Sequence, residues 1–376
     1  MNKVVKRILL LISLPIALLI ALALISNLFC KAASFDERRL GYYENEPKNS
    51  MDVVFIGASE IYTGWAPALA YEEYGITSYP YCISAAPVRL WKTMVQEALK
   101  KQSPECVVVD PYGAALYDDA GKMGLYNPAP KYQLLNMVPF SPEKIKMVDE
   151  LCADMSTMDK LSYLLPFVKH HDTYVDFPQN FKSSREIISG KTSPIKGMRT
   201  LTELYNPGVE LLPTDDKLTS QIVPAAEEAL KDFLEYCRQN NIKVLFVHFP
   251  AVVVEGSEYC QIDQKCNYAG AIARSYGYDY INLQDHVREM GILSSEDFYQ
   301  PGHLNVRGQR KATVYLGRIL SDQYLKKVNH SDKKLQNEWK EAYNIYENYY
   351  KYACDCIDRG QAEELQDGPE TMAKLQ

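Results

Sequence analysis

The sequence predicts an α/β fold: a parallel sheet with helices on both faces. Short β-branched runs at Asp52–Ile56, Cys106–Asp110, Ile242–Phe249 and Tyr278–Leu283 are separated by stretches of helical length and pattern. The first three have continuously apolar centres, Val53–Ile56, Cys106–Val109 and Val244–Val247, as in strands buried on both faces, rather than alternating. Parallel neighbours need a crossover of a dozen or more residues, which the intervening helices supply.

Of the 376 residues, 47% are hydrophobic, enough for a core of ordinary globular size and too many for a disordered or collagenous chain. The formal charge is −7 with no basic block, which argues against nucleic acid as a partner. Tyrosine is frequent, 28 of 376, a bias suited to a polar surface with aromatic contact patches.

The first element is Ile8–Cys30, uncharged throughout and long enough as a helix to cross a hydrocarbon core of about 30 Å. Lys3, Lys6 and Arg7 precede it, as in a signal sequence or signal-anchor. The run exceeds the usual length of a cleaved signal peptide, and Leu28-Phe29 before Cys30 is poor lipoprotein chemistry. The expectation is therefore an uncleaved single-pass anchor in the cell membrane, N-terminus inside and main domain outside. Residues 31–50 read as a polar linker, 51–328 as the α/β domain and 329–376 as an amphipathic C-terminal helix.

Within the domain, the first strand leads to Gly57-Ala58-Ser59, a helical stretch at Pro67–Tyr74, a loop at Tyr79–Pro87 and a helix at Val88–Lys101. From about 116 to 214 the rhythm breaks, with helical pieces at Pro142–Met155 and Ser156–His170; this reads as an insertion capping the end of the sheet. Helices at Ser220–Gln239, Tyr268–Tyr276 and Val306–Leu325 then complete the alternation. In the tail, Leu335, Trp339, Ala342, Tyr343, Tyr346, Tyr350, Ala353 and Ile357 fall on one face at helical spacing, to pack back on the domain or against a partner. The nine cysteines form no CxxC pair and no His-Cys cluster, so no zinc site is expected. His170-His171 lacks a third ligand. His248, at a strand end, reads as a hydrogen-bonded histidine at the sheet edge.

Two stretches could carry chemistry. Ser59 follows the first buried strand and enters a helix, where open α/β sheets bind ligands, although a serine there is ordinarily a helix cap. His303, in Asp297-Phe298-Tyr299-Gln300-Pro301-Gly302-His303-Leu304-Asn305, sits in a Pro-Gly turn before the last helix. A loop histidine there can reach the end of the first strand and act as the general base a serine needs; a solvated loop histidine is the alternative.

Together, these two stretches resemble the SGNH (GDSL-like) hydrolase superfamily. The His-Leu-Asn sequence, Gly308 and the N-terminal anchor are similar to an envelope subgroup that includes the DltD proteins and others working beside membrane-bound O-acyltransferases. The resemblance implies a flavodoxin-like three-layer αβα domain with Ser59 as nucleophile and His303 as base. It also implies acyl-ester chemistry on a cell-envelope glycopolymer, with such an acyltransferase as partner and no cofactor or metal. The chain departs from the pattern where the family carries an acid three residues before the histidine: here it has Gln300, which orients an imidazole without the charge of a carboxylate. Asp297, or more distantly Asp285, would substitute. The second family loop reads Tyr81-Cys82-Ile83-Ser84-Ala85, so oxyanion donors fall at Gly57, Cys82 or Ser84. The third, Asp110-Pro111-Tyr112-Gly113, lacks the family asparagine. A plain esterase and a catalytically degenerate scaffold subunit both remain open.

Overall fold

The computed structural model describes residues 3–30, 34–115, 128–153, 155–165, 184–212, 214–326, 330–361 and 364–365. The chain divides into two compact units, Met1–Gly41 with Lys131–Lys191, and Tyr42–Pro130 with Thr192–Gln376.

The larger unit is built on five strands, β1 (Val53–Gly57), β2 (Ser78–Cys82), β3 (Cys106–Val109), β4 (Val244–His248) and β5 (Asp279–Asn282), in the order β2-β1-β3-β4-β5. All neighbours are parallel: Val53 lies opposite both Ser78 and Cys106, Val107 opposite Val244, and Leu245 opposite Asp279. This is the flavodoxin-like doubly wound order. Its direction reverses between β1 and β3, the crevice in which such sheets hold ligands beyond their carboxyl ends. The first four strands are buried along their whole length, which explains the apolar runs Val53–Ile56, Cys106–Val109 and Val244–Val247.

The helices of this unit longer than four residues include α1 (Ser59–Gly64), α2 (Pro67–Tyr74), α3 (Trp91–Lys101), α4 (Pro224–Gln239), α5 (Glu258–Ser275), α6 (Val306–Ile319) and α7 (Lys333–Asp358). Trp91 of α3 packs its ring against Phe233 of α4 and Phe246 of β4, with centroids 5.7 and 6.5 Å apart. Phe55 of β1 meets Trp65, between α1 and α2, at 4.8 Å. Helix α6 is pinned to that same corner, because Ala66 N–H donates to Thr313 Oγ1 at 2.9 Å and Gln309 Nε2 donates to the Tyr62 carbonyl at 3.2 Å. These two bonds fix the end of the chain's α/β alternation against its beginning. They bring β1 and the segment before α6 to one edge.

Several expectations change. The loop expected at Tyr79–Pro87 begins as strand β2. Pro80 disguised it: proline cannot donate to a ladder and is tolerated in a sheet only on an edge, and β2 is an edge strand. The linker expected at 31–50 contains a helix, Phe35–Tyr43. Tyr43 is buried, its hydroxyl donating to Ala98 O at 2.9 Å and its ring meeting Tyr79 and Tyr81. The insertion is shorter than 116–214, since residues from 192 onward belong to the larger unit. There Ile195 and Met198 pack with Ala66, Leu69 and Tyr346. Helix α5 starts at Glu258, ten residues before the expected Tyr268, capped by Ser257 Oγ, which accepts from Cys260 N–H.

The C-terminal helix packs on its own unit. Its buried face is Leu335, Trp339, Ala342, Tyr346, Tyr349, Ala353, Cys356 and Ile357, close to the face expected from periodicity, with Tyr349 taking the place of Tyr343 and Tyr350. The smaller unit holds the N-terminal helix Lys3–Cys30, in which Val4–Leu22 is long and apolar enough to span a membrane; a signal sequence has the same character. It also contains Pro142–Leu151 and Thr157–Leu164, each capped by a serine that accepts an amide N–H, with Tyr132, Leu135, Val148, Cys152 and Tyr163 as a small core. His170-His171 lies outside the described residues.

Trp339 is fully buried, stacked on Tyr71 at 5.2 Å, with Lys196 Nζ 5.0 Å above its ring. Trp339→Ala is expected to cost roughly 3–5 kcal/mol in urea denaturation of the full chain in detergent. A loss under about 1 kcal/mol would mean that α7 is a detachable tail.

Candidate active site

The carboxyl ends of the strands carry a polar layer: Ser59 after β1, Ser84 after β2, Asp110 after β3, His248 closing β4 and Asn282 closing β5. Ser59 opens α1, a helix whose other residues, Glu60 to Gly64, are all buried. That burial follows from the sequence Ile-Tyr-Thr-Gly and turns Glu60, ordinarily a solvated acid of a first helical turn, into the interior. Glu60 is 5% exposed.

His303 is placed by a hairpin. Strands β6 (Phe298–Gln300) and β7 (His303–Leu304) pair antiparallel around the Pro301-Gly302 turn, with Gln300 opposite His303. Opposed residues of such a pair share a face, which is why the partner of the imidazole is Gln300. Asn305 locks the hairpin to the last helix: its side-chain oxygen caps α6, accepting from the N–H groups of Arg307 and Gly308, while its Nδ2 donates to the carbonyls of Glu296 and Phe298. Gly308 is needed for close approach, because a Cβ there would lie 2.4 Å from the Asp297 carbonyl oxygen. The His-Leu-Asn and Gly308 signal is thus a device for aiming residue 303.

Ser59 and His303 come together, but through a third group. Ser59 Oγ donates to Glu60 Oε1 at 3.3 Å, and His303 Nε2 lies 3.7 Å from the same oxygen. Among the described residues, Ser59 Oγ makes no hydrogen bond to His303. On the other side of the ring, Gln300 Nε2 donates to His303 Nδ1 at 2.5 Å. With the amide assigned in that sense, the neutral ring carries its proton on Nε2, facing Glu60. Glu60 Oε2 is buried without a hydrogen-bond partner.

Both groups are neutral at pH 7. Burial, and then the nearby Asp110 charge, push Glu60 up to about 8, against weaker opposing hydrogen bonds from its own backbone and Ser59. Burial, helped by the Arg199 charge, pushes His303 down to about 4. A carboxyl and an imidazole this close ordinarily form an ion pair; here the proton resides on the carboxyl.

The other expected residues divide. Asp297 is fully buried, but its Oδ2 accepts from Lys311 Nζ and Leu293 N–H, both at 2.7 Å, so it anchors α6 rather than the imidazole. Asp285 accepts from Thr214 Oγ1 at 2.9 Å and is raised to about 6 by burial, against that hydrogen bond. Ser84 is at the site edge, its Oγ 2.8 Å from the Tyr62 hydroxyl, beside Ala85 in the left-handed region at φ 54°. The carbonyl of Gly57 accepts from Ile83 N–H at 3.2 Å, tying the first loop to the second. Cys82 is a core residue, its thiol fully buried and donating to Phe55 O at 3.6 Å.

Two groups escaped sequence reasoning. One is Glu60; an acid in a first helical turn reads the same whether solvated or buried, so its burial left no signal in the sequence. The other is the buried arrangement around Asp110, whose Oδ1 accepts from Tyr112 N–H at 2.9 Å and from His248 Nδ1 at 3.2 Å. His248 Nε2 faces Asp263 Oδ1 at 3.8 Å. Burial alone would depress His248, but Asp110, with smaller contributions from Asp263 and Asp285, raises it above the usual histidine range. Asp110, His248 and Cys266 each bring one ligand-type atom within 4.8 Å of the others. That set suits a cation only with the thiol ionised, whereas burial holds Cys266 strongly protonated and Asp110 already engages His248.

Glu60 gives a stability signature. Its raised pKa means the folded state holds a proton that the unfolded chain releases, so its contribution is complete below about 4.5 and is lost as pH rises to about 8. Glu60→Gln removes that loss. Chemical denaturation is expected to show the variant gaining on wild type between pH 5 and pH 9, whereas a gap independent of pH would contradict the assignment. Comparison with models of known protein families finds none that matches, and no curated protein matches the chain.

Proposed function

We propose that this chain is a serine acyl-transfer enzyme of the SGNH (GDSL-like) type, tethered to the cell membrane by its N-terminal helix. Ser59 accepts an acyl group of the O-acetyl or D-alanyl kind and passes it to a sugar or polyol hydroxyl, or to water. The observation that supports this most is the meeting of Ser59 and His303, from opposite ends of the domain, on one buried carboxyl at the sheet's carboxyl edge. The flavodoxin-like strand order agrees with the resemblance on which this reading rests.

The reaction needs a nucleophile, a route for its proton and donors for the oxyanion. Ser59 supplies the first and the Glu60–His303 pair the second. Ser59 N–H, with a backbone donor near Ser84, is the candidate for the third. The acceptor, on this reading, is an extracellular envelope glycopolymer and the donor side a membrane-bound O-acyltransferase. A membrane tether would raise the local concentration of the site beside both.

One observation favours a second reading, a binding or scaffold subunit that kept the fold. Ser59 is bonded to Glu60 rather than to His303, and an amide stands behind the ring in place of a carboxylate. Covalent labelling of the full-length protein with a fluorophosphonate at pH 8, with the modified peptide located by mass spectrometry, separates the two. Labelling at Ser59 that disappears in Ser59→Ala is expected; a folded wild type that stays unlabelled supports the scaffold.

A further inference from the structure

We propose that Glu60 is the catalytic base of Ser59, taking the Oγ proton directly, and that His303 is a positioning residue acting through it. The inference rests on the serine acyl-transfer reading. Its ground is geometry: the one side-chain hydrogen bond of Ser59 Oγ among the described residues goes to Glu60 Oε1 at 3.3 Å. With the Gln300 amide assigned as donor, the one lone pair of the neutral His303 ring is on Nδ1 and is turned away from Ser59. Gln300 Nε2 donates to Nδ1 at 2.5 Å, and the remaining ring nitrogen therefore bears the proton, directed at the same Oε1 from 3.7 Å. An imidazole in that tautomer steadies a carboxylate; it does not accept a serine proton.

The proton affinities agree with the geometry. Glu60 is raised to about 8 and His303 lowered to about 4, so between them the carboxylate is the stronger base by far. Burial sets this order, with Asp110 adding to the rise of Glu60. The groups facing Glu60 are Asp110 beyond β3, Tyr259 and Cys266 on α5, and His303 on β7, with Arg199 acting on His303. At pH 7 about a tenth of the molecules carry the reactive carboxylate.

The step balances without a further reactant. Ser59 Oγ bonds to the acyl carbon as the carbonyl π bond opens to an oxyanion, and the Oγ proton passes to Glu60 Oε1. Collapse breaks the bond to the leaving oxygen, which takes that proton from Glu60. The incoming hydroxyl or water then gives its own proton to Glu60 while attacking the acyl-serine, and Ser59 Oγ recovers it as the acyl bond breaks. With a fluorophosphonate, Oγ bonds to phosphorus, fluoride leaves and the proton stays on Glu60.

The test is the labelling rate of the full-length protein in detergent micelles between pH 5.5 and 9.5, for wild type, Glu60→Gln, His303→Gln and Gln300→Glu. Wild-type rates are expected to rise about tenfold per pH unit and level off near pH 8. Glu60→Gln, folded by its thermal melt, is expected to lose about 10²-fold or more at the plateau and to show a flat profile. His303→Gln should lose less and keep the rise. In Gln300→Glu a carboxylate accepts from Nδ1–H, freeing Nε2 as a base, so the rise should move toward the ordinary histidine range near 6.5. A Glu60→Gln variant with wild-type rate and profile, or a rise lost in His303→Gln and retained in Glu60→Gln, would overturn the inference while leaving Ser59 as nucleophile. Wild type unlabelled at every pH would remove the serine reading itself.

Discussion

The Asp110 carboxylate is the constraint on which the functional edge of the sheet depends. It is 1% exposed and accepts from the N–H groups of Tyr112 and Phe249 and from His248 Nδ1. Those bonds join the end of β3 to the end of β4, on one side of the point where the sheet reverses direction. A charge so deep is costly unless it is paired and hydrogen-bonded, and His248, raised above the usual histidine range chiefly against its own burial, is the pair. Burial raises both Glu60 and Cys266, and the field of Asp110, reaching across the edge, adds to it.

From this follows an inversion of an ordinary contact. Two histidines at the same edge experience opposite surroundings. His248, though buried, sits among Asp110, Asp263 and Asp285 and is raised above the usual histidine range; His303 is lowered to about 4 by burial, helped by the Arg199 charge. Glu60, beside His303, is raised to about 8 by burial and then by the Asp110 charge. The layer thus contains two imidazoles shifted in opposite directions, separated by burial and by which charges each one meets. Gln300 fits the Glu60–His303 pair, since an amide donates to Nδ1 without adding a charge that would pull the proton onto the ring.

Much of the fold was legible because strands buried on both faces announce themselves as unbroken apolar runs, as at Val53–Ile56 and Cys106–Val109. Ser78–Cys82 was not, because Pro80 and two tyrosines make an edge strand look like a loop. Ser59 and His303 could be picked out by their positions after the first strand and before the last helix. The choice between Asp297 and Gln300 could not: it depends on the register of a hairpin, which faces Gln300 to His303 and leaves Asp297 to Lys311. Glu60 was invisible for a different reason. An acid after a helix start favours the helix dipole in solvent just as it serves chemistry when buried, and only tertiary packing of α1 decides which.

The central claim is that Glu60 carries the proton between Ser59 and His303 at neutral pH, and an infrared titration reads that proton directly. A buried, protonated carboxyl has a C=O stretch distinct from a carboxylate, and the difference spectrum against Glu60→Gln isolates it. The account predicts a band present at pH 6 that disappears with a midpoint near pH 8. Absence of the band at pH 6, or a midpoint near 4.5, would mean that Glu60 is an ordinary ionised acid and that the proton inventory of the site is wrong.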